Sequence, residues 1–594
     1  MVFVICGSAA RNQFQTMKNP YNERKHEMKN STRQSFVGGL VGLAILSLQA
    51  PAFGQGSLTP PGAPAPTMKT LEQIEPRTVI GNLPRTISTP GAYVVTSNLS
   101  LATGNGISVT ASDVTIDLNG FGLTGTADSG HGIHVASGLE NVTIQNGVLR
   151  NWGADGVHAP GTDNVRIENL RVHGCTGDGI EMSRGTVSGI VASGNGGAGL
   201  RNDPIPGIDI IVEKKPSGPV KFANNGGGGV VAEGPGSIQL GDADISGNTG
   251  HGISWVSAVA GATFQLSLGG VACDNNTGDG VHVNWSGAGA KSKIKCDIDG
   301  KVVKYRASGN GGNGMTVIAN AMDMFLDLKV GKGEFVNNGG HGMSVSGGNK
   351  GGIDLDGGTF SGNTQAGLII IADDGVKPGS VNRVNASHNG SHGIHLQASG
   401  VYRFSGCRAA GNGGDGLRAE RPAAGAGRWG ELIFETNDLV ANGGAGLNIP
   451  ANATATVVGT VLVTGGLVSG NATAGIIIAD EGVKPGSVNR VSITGNSGHG
   501  LVVAGHDFAI AENLISRNAG SGIRVTGTGA HLARNQCSAN VTGIEVTGLG
   551  NAVRENIFGD TAAQMPLIVT LPGNAVAPTQ DVETGTNPLG NVGY

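Results

Sequence analysis

SGNGGNGMTV, residues 308–317, decides the fold. The phrase is small and polar until it ends in Met315, Thr316 and Val317. Relatives recur along the chain: SGNGGAGLRN from 193, SGNTQAGLII from 361, AGNGGDGLRA from 410 and TGNSGHGLVV from 494. Thirteen times, from Asn195 to Asn518, an Asn is followed four residues later by Gly and then by an aliphatic residue or Met. Looser members add Gly106, Gly132, Gly156, Gly179 and Gly543, making eighteen units of uneven length.

Behind each marker glycine the pattern is apolar, variable, apolar, as in Ile133-His134-Val135 and Val281-His282-Val283. Period two means a short strand with alternate residues facing inward. A second alternating run precedes many units, such as Val114-Thr115-Ile116-Asp117-Leu118. Helical periodicity is absent nearly everywhere. A unit this small cannot close its own core, but stacked on its neighbours it can. Each strand then pairs with its counterpart in the next unit, about 4.8 Å away, giving a rod about 85 Å long. Short parallel strands joined by turns make an all-β parallel β-helix. Gly and Asn suit its corners because they tolerate positive φ, and stacked Asn side chains can form a ladder. IADDGVKPGSVNRV (371–384) returns as IADEGVKPGSVNRV (478–491), four whole units on.

Composition agrees. Glycine supplies 106 of 594 residues, aromatics only 4%. Glycine at every third position is lacking, which excludes collagen. A net charge of −5 gives no general field for nucleic acid, so no nucleic-acid partner is expected. Phe36 to Leu48, behind Met28-Lys29 and Arg33, reads as a signal peptide with Met28 as the true start; the mature chain is expected to have no membrane span. The expected organisation is a leader over 1–54, a Pro-rich linker and N-terminal cap over 55–80, the β-helix over 81–550 and a C-terminal cap over 551–594. The expected location is secreted, periplasmic or at the cell surface. Cys175, Cys273, Cys296, Cys407 and Cys537 are too scattered for a disulfide framework or a metal spacing and read as buried small apolar residues.

SDVTIDLNGFGLTG (112–125), followed by the Asn-x-x-x-Gly-aliphatic units, resembles bacterial secreted right-handed β-helix proteins of the pectate-lyase-like superfamily. The resemblance implies a right-handed winding of about 18 coils. It also implies an acidic or neutral polysaccharide as partner, with lyase, hydrolase or epimerase chemistry or none. The family signatures are missing: there is no Arg-Ile-Lys, no Arg-x-Pro-x-x-Arg and no Asp-Pro-His-Asp. Gly-His-Gly at 130–132, 250–252, 340–342 and 498–500 occupies the repeat's own turn each time.

Chemistry is therefore sought where ionisable residues stack. The outward position two after the marker glycine holds His134, His158, Glu181 and Arg201 in consecutive units. The position before the glycine holds His131, Asp155 and Asp178. His134, His158, Asp178, Glu181 and Arg201 are the candidate catalytic set, since a base beside cationic groups suits proton abstraction next to a uronate carboxylate. The alternative is solvated surface whose opposite charges pair across coils. No metal site is assigned and no cofactor is certain; Ca²⁺ is the one candidate, since Asp155, Asp178 and Glu181 offer oxygens of the kind it takes. His392, His395, Asp415 and Arg418 form a smaller echo. Lys291, Lys293 and Lys295 share one strand face and form a candidate ridge for an acidic sugar chain. Trp152, Trp255, Trp285, Tyr305 and Trp429 are the few aromatics available to stack on sugar rings. The competing function is a non-catalytic matrix or adhesin-like protein. Oligomeric state is not set by any motif.

Overall fold

The computed structural model describes residues 76–202, 208–213, 219–261, 263–286, 293–298, 305–319, 325–347, 350–372, 378–398, 400–421, 429–451, 459–559, 565–581 and 590–593. The leader, most of the expected N-terminal cap, Lys291 and the side chains of Lys293, Lys295 and Trp429 lie outside the described residues. Every regular element described is a β-strand. They form a parallel β-solenoid of about 17 turns.

The strands that carry the outward column begin with β1 (Ile107–Val109), β2 (Ile133–Val135), β3 (Val157–Ala159), β4 (Ile180–Met182) and β5 (Leu200–Asn202). Further along the same sheet lie β6 (Ile253–Ser257), β7 (Val281–Trp285), β8 (Met315–Ala319), β9 (Ile394–Ala398) and β10 (Leu417–Glu420). Each pairs in parallel with the strand of the next coil without a register shift. Inward residues are sealed: Val281, Val283 and Trp285 of β7 are all 0% exposed. Burial of such side chains contributes roughly 1.5–3 kcal/mol each.

The repeated phrase divides its labour more finely than its composition indicates. The marker glycines are needed for close approach. A Cβ on Gly280 would lie 2.5 Å from the Gly314 carbonyl oxygen, and one on Gly314 equally close to that of Gly342. Positive φ falls instead on the residue before each phrase Asn, such as Asn224 (φ 56°) and Gly247 (φ 69°). The Asn itself is buried. From Asn195 to Asn540, each Nδ2 donates to the Oδ1 of the next coil's Asn at 2.8–3.1 Å. A second, shorter ladder runs through Asn513, Asn535, Asn556 and Asn591. Buried amides must be paired, and stacking pairs each with its own kind.

The stack continues beyond residue 550, with Met565–Val569 pairing onto Thr542–Val546. Trp152, Trp255, Trp285 and Tyr305 are fully buried. They fill the core and are unavailable to sugar rings, a correction to the sequence-based expectation. Trp255 and Trp285 both pack against Phe264 there. Cys175, Cys273, Cys407 and Cys537 are buried free thiols.

Candidate functional site

The register aligns Ser108, His134, His158, Glu181 and Arg201 on adjacent strands β1 to β5. All four predicted outward residues thus stand in one file. Asp178 occupies the neighbouring file, in the turn before β4. Lys293 and Lys295 lie on a strand of a different sheet, paired with Thr263–Gly269 and Phe325–Val330.

The turn file is held by a bond invisible in sequence. The Asn, Asp and His side chains before marker glycines accept the backbone N–H of their counterparts one coil on. Asn105 Oδ1 accepts the His131 amide at 2.9 Å, and His131 Nδ1 accepts the Asp155 amide at 3.3 Å. Asp155 Oδ1 takes the Asp178 amide at 2.7 Å, and Asp178 Oδ1 the Ala198 amide at 2.5 Å. His251, His341, His392 and His499 repeat the pattern through Nδ1 at 2.8–3.1 Å. Histidine recurs at this turn because neutral imidazole offers a lone pair where Asp or Asn offers a carbonyl-like oxygen.

The remaining carboxylate oxygens converge on the outward file. Asp155 Oδ2 lies 2.9 Å from His158 Nδ1 and 3.2 Å from His131 Nδ1. Glu181 Oε2 reaches the same His158 Nδ1 at 2.6 Å. Asp178 Oδ2 accepts from Arg201 Nε at 2.5 Å. The His131 and His158 rings stack at 4.0 Å, and His134 and His158 at 5.5 Å.

These contacts drive neighbouring histidines apart in acidity. Hydrogen bonds to Asp155 and then Glu181 raise the His158 pKa to about 9, so it is an imidazolium at neutral pH. Burial, and then the charge of His158 and His131, lowers that of His134, which is neutral there. Burial opposes ionisation of Asp155, but the neighbouring imidazoles, with a hydrogen bond from His158, and the Asp178 amide outweigh it and hold the carboxyl well below its usual range.

The donor set fits Ca²⁺ poorly. Both oxygens of Asp155 and of Asp178 already face N–H groups, and Ca²⁺ takes six to eight oxygens. Among the described residues, two sets of mixed donors have the reach for a smaller ion: His131, Asp155 and His158, and His251, Asp279 and His282, each with ligand atoms within 4.8 Å of one another. The second set was not singled out from the sequence. Its members come from two successive coils and meet only through coil register.

A family model described as right handed beta helix region matches residues 88–206 and 393–558, in agreement with the expected handedness. No curated protein matches the chain. Among solved structures, the A-module of Azotobacter vinelandii mannuronan C-5 epimerase AlgE4 is 11% identical, over 82% of this chain and 91% of that one, with a TM-score of 0.20. The AlgE6 A-module is likewise 11% identical, over 85% and 91%, with a TM-score of 0.18. Likeness at this level extends no activity from those enzymes to this chain.

Proposed function

We propose that the chain is an exported polysaccharide-binding solenoid that performs acid–base chemistry on the face formed by β2 to β5. One observation carries the reading: His158 Nδ1 lies 2.9 Å from Asp155 and 2.6 Å from Glu181, while His134, its register neighbour, forms no ion pair among the described residues, an environment that raises the pKa of the first ring and lowers that of the second. Paired groups with separated pKa values mark an acid and a base. His134 is the base, and His158 is the acid, oriented by Asp155 and Glu181. The chemistry this suits is removal of the C5 proton of a uronate. The base is neutral beside the substrate carboxylate, while Arg201 and His158 face that carboxylate as cations. The resulting carbanion then expels the oxygen at C4, which takes its proton from His158, giving lysis, or takes a proton from water on the other face of C5, giving epimerisation. Asp155, Asp178 and Glu181 against Arg201 and the imidazolium leave the site with one net negative charge. Added salt should therefore strengthen an acidic polymer's binding. In the described residues no helix is long and apolar enough to cross a membrane.

The test is incubation of purified chain with polyuronates and neutral glycans. Unsaturated products and deuterium exchange at C5 are read separately. Activity should rise as His134 loses its proton below pH 6.5 and fall above about pH 9. His134→Gln should lower it about 10²–10⁴-fold. Binding without turnover or exchange would reject the catalytic reading.

A non-catalytic reading has its own support. The amide-accepting role of Asp155 and Asp178 recurs at Asp279 and Asp415, so coil stapling alone accounts for those carboxylates. Glycan binding with no product is its signature.

A further inference from the structure

We propose that His251, Asp279 and His282 bind one divalent transition cation of the zinc or nickel class. His251 sits in the turn before β6, Asp279 in the turn before β7, and His282 on β7 itself. Coil register brings them together, with Ser254 beside His282. Asp279 Oδ2 lies 2.8 Å from His282 Nδ1 and 3.8 Å from His251 Nδ1. The two rings stack at 4.4 Å. Ligands about 2.0–2.2 Å from a tetrahedral ion stand about 3.3–3.5 Å apart. The observed separations bracket that spacing, so small side-chain adjustments suffice.

Charge singles out this set. Asp279 is only 8% exposed, yet no Lys or Arg forms an ion pair with it among the described residues. The equivalent Asp178 and Asp415 are paired with Arg201 and Arg418. Asp155 shares His158 with a second acid, Glu181. Thr316 occupies the register position that Glu181 holds in the first set. His282 therefore faces one carboxylate rather than two. Two imidazoles with one carboxylate suit zinc, nickel or copper. They do not suit magnesium or calcium, which want an all-oxygen shell. The side chains of His251 and His282 are 35% and 19% exposed, so an ion can enter from solvent and keep a water in its open position.

One cost is explicit. His251 Nδ1 accepts the Asp279 amide at 2.8 Å, and a metal at that nitrogen replaces the bond. Affinity should accordingly be micromolar rather than nanomolar.

The test uses the full chain, stripped with EDTA and dialysed, titrated calorimetrically with ZnCl₂ and NiCl₂, with CaCl₂ and MgCl₂ as hard-ion comparators. We expect micromolar Zn²⁺ binding that weakens at least tenfold in both His282→Gln and Asp279→Asn. CoCl₂ should give the visible bands of a low-coordinate ion in the wild type and lose them in His282→Gln. Melting in EDTA shows whether each variant remains folded; His251→Gln is the replacement for one that does not. Absence of Zn²⁺ binding, equal binding by wild type and folded variants, or Ca²⁺ binding as tight as Zn²⁺ would overturn the assignment.

Discussion

Asn338→Ala isolates what one rung of the ladder contributes. Asn338 is 1% exposed. Its Nδ2 donates to Asn363 Oδ1 at 3.0 Å and to the Ala307 carbonyl at 3.1 Å. Its Oδ1 accepts from the Asn310 amide at 3.1 Å and from Asn310 Nδ2 at 3.0 Å. Alanine removes all four bonds and strands buried donors on Asn310. At about 0.5–1.5 kcal/mol net per bond, weighted upward for stranded groups, the loss is about 4 kcal/mol. Solenoid stability is a sum over neighbouring coils, so the damage is local and a single unfolding midpoint reads it poorly. Hydrogen exchange at the Asn310 amide is the suitable assay. It should accelerate about a thousandfold, while amides near Val135 stay unchanged. Asn338→Asp keeps the acceptor, loses both donors and buries a charge beside Asn363 Oδ1, so it should be worse still. A shift under about tenfold for Asn338→Ala, or wild-type exchange in Asn338→Asp, would refute the reasoning.

The turn histidines make the stack acid-sensitive. Burial, then the charge of His395, lowers the His341 pKa; burial, then Arg524, lowers that of His499. A lowered folded pKa means the unfolded chain binds the proton first, so their contribution is complete above about pH 6.5 and lost as pH falls from there through the folded values. Because His158, raised to about 9, adds stability that is lost as pH rises from 6.5 toward 9, thermal midpoints should climb as pH falls from 9 to 7 and drop below 6.5. His499→Asn, which supplies the acceptor oxygen that Asn313 already provides in its own turn, should reduce that drop. Gly314→Ala forces a Cβ against the Gly342 carbonyl at 2.5 Å and should cost about 1–3 kcal/mol, read by faster exchange at Met315, whose amide donates to that carbonyl. Arg421 and Asp480 form a buried ion pair, with side chains 5% and 1% exposed and Arg421 Nε 2.8 Å from Asp480 Oδ2. Asp480→Ala should cost about 3–5 kcal/mol by removing one partner of this buried ion pair, seen as early local unfolding in limited proteolysis.

Much of the fold was legible because the signal is periodic. The Asn-x-x-x-Gly phrase and the alternation after it specify strand, corner and stacking direction together. Asn540 escaped because its glycine, Gly543, follows at three residues instead of four, yet it accepts from Asn518 Nδ2 at 3.0 Å. The ladder from Asn513 to Asn591 escaped because no glycine marks it. Positive φ does fall on Gly and Asn of the corners, as at Gly194, Gly309 and Asn224; the separate role of the marker glycines was hidden because close approach selects the same residue type, and only the gap between successive coils tells the two apart. The indoles and Tyr305 were misjudged because a chain with so few large side chains uses them to fill its core. For the site, the outward file followed from alternation. The partnering did not: whether His158 answers to one acid or two depends on how side chains at Asp155 and Glu181 turn across coils. The His251, Asp279 and His282 grouping needs residue-by-residue register between two successive units, which the uneven spacing of the marker glycines conceals.

Histidine side-chain NMR on the ¹³C-histidine-labelled chain, with His134→Gln and His158→Gln for assignment, tests the acid–base pair most directly. His158 should titrate near pH 9 and His134 below 6.5. Ordinary titration of both rings near 6.5 would contradict the account.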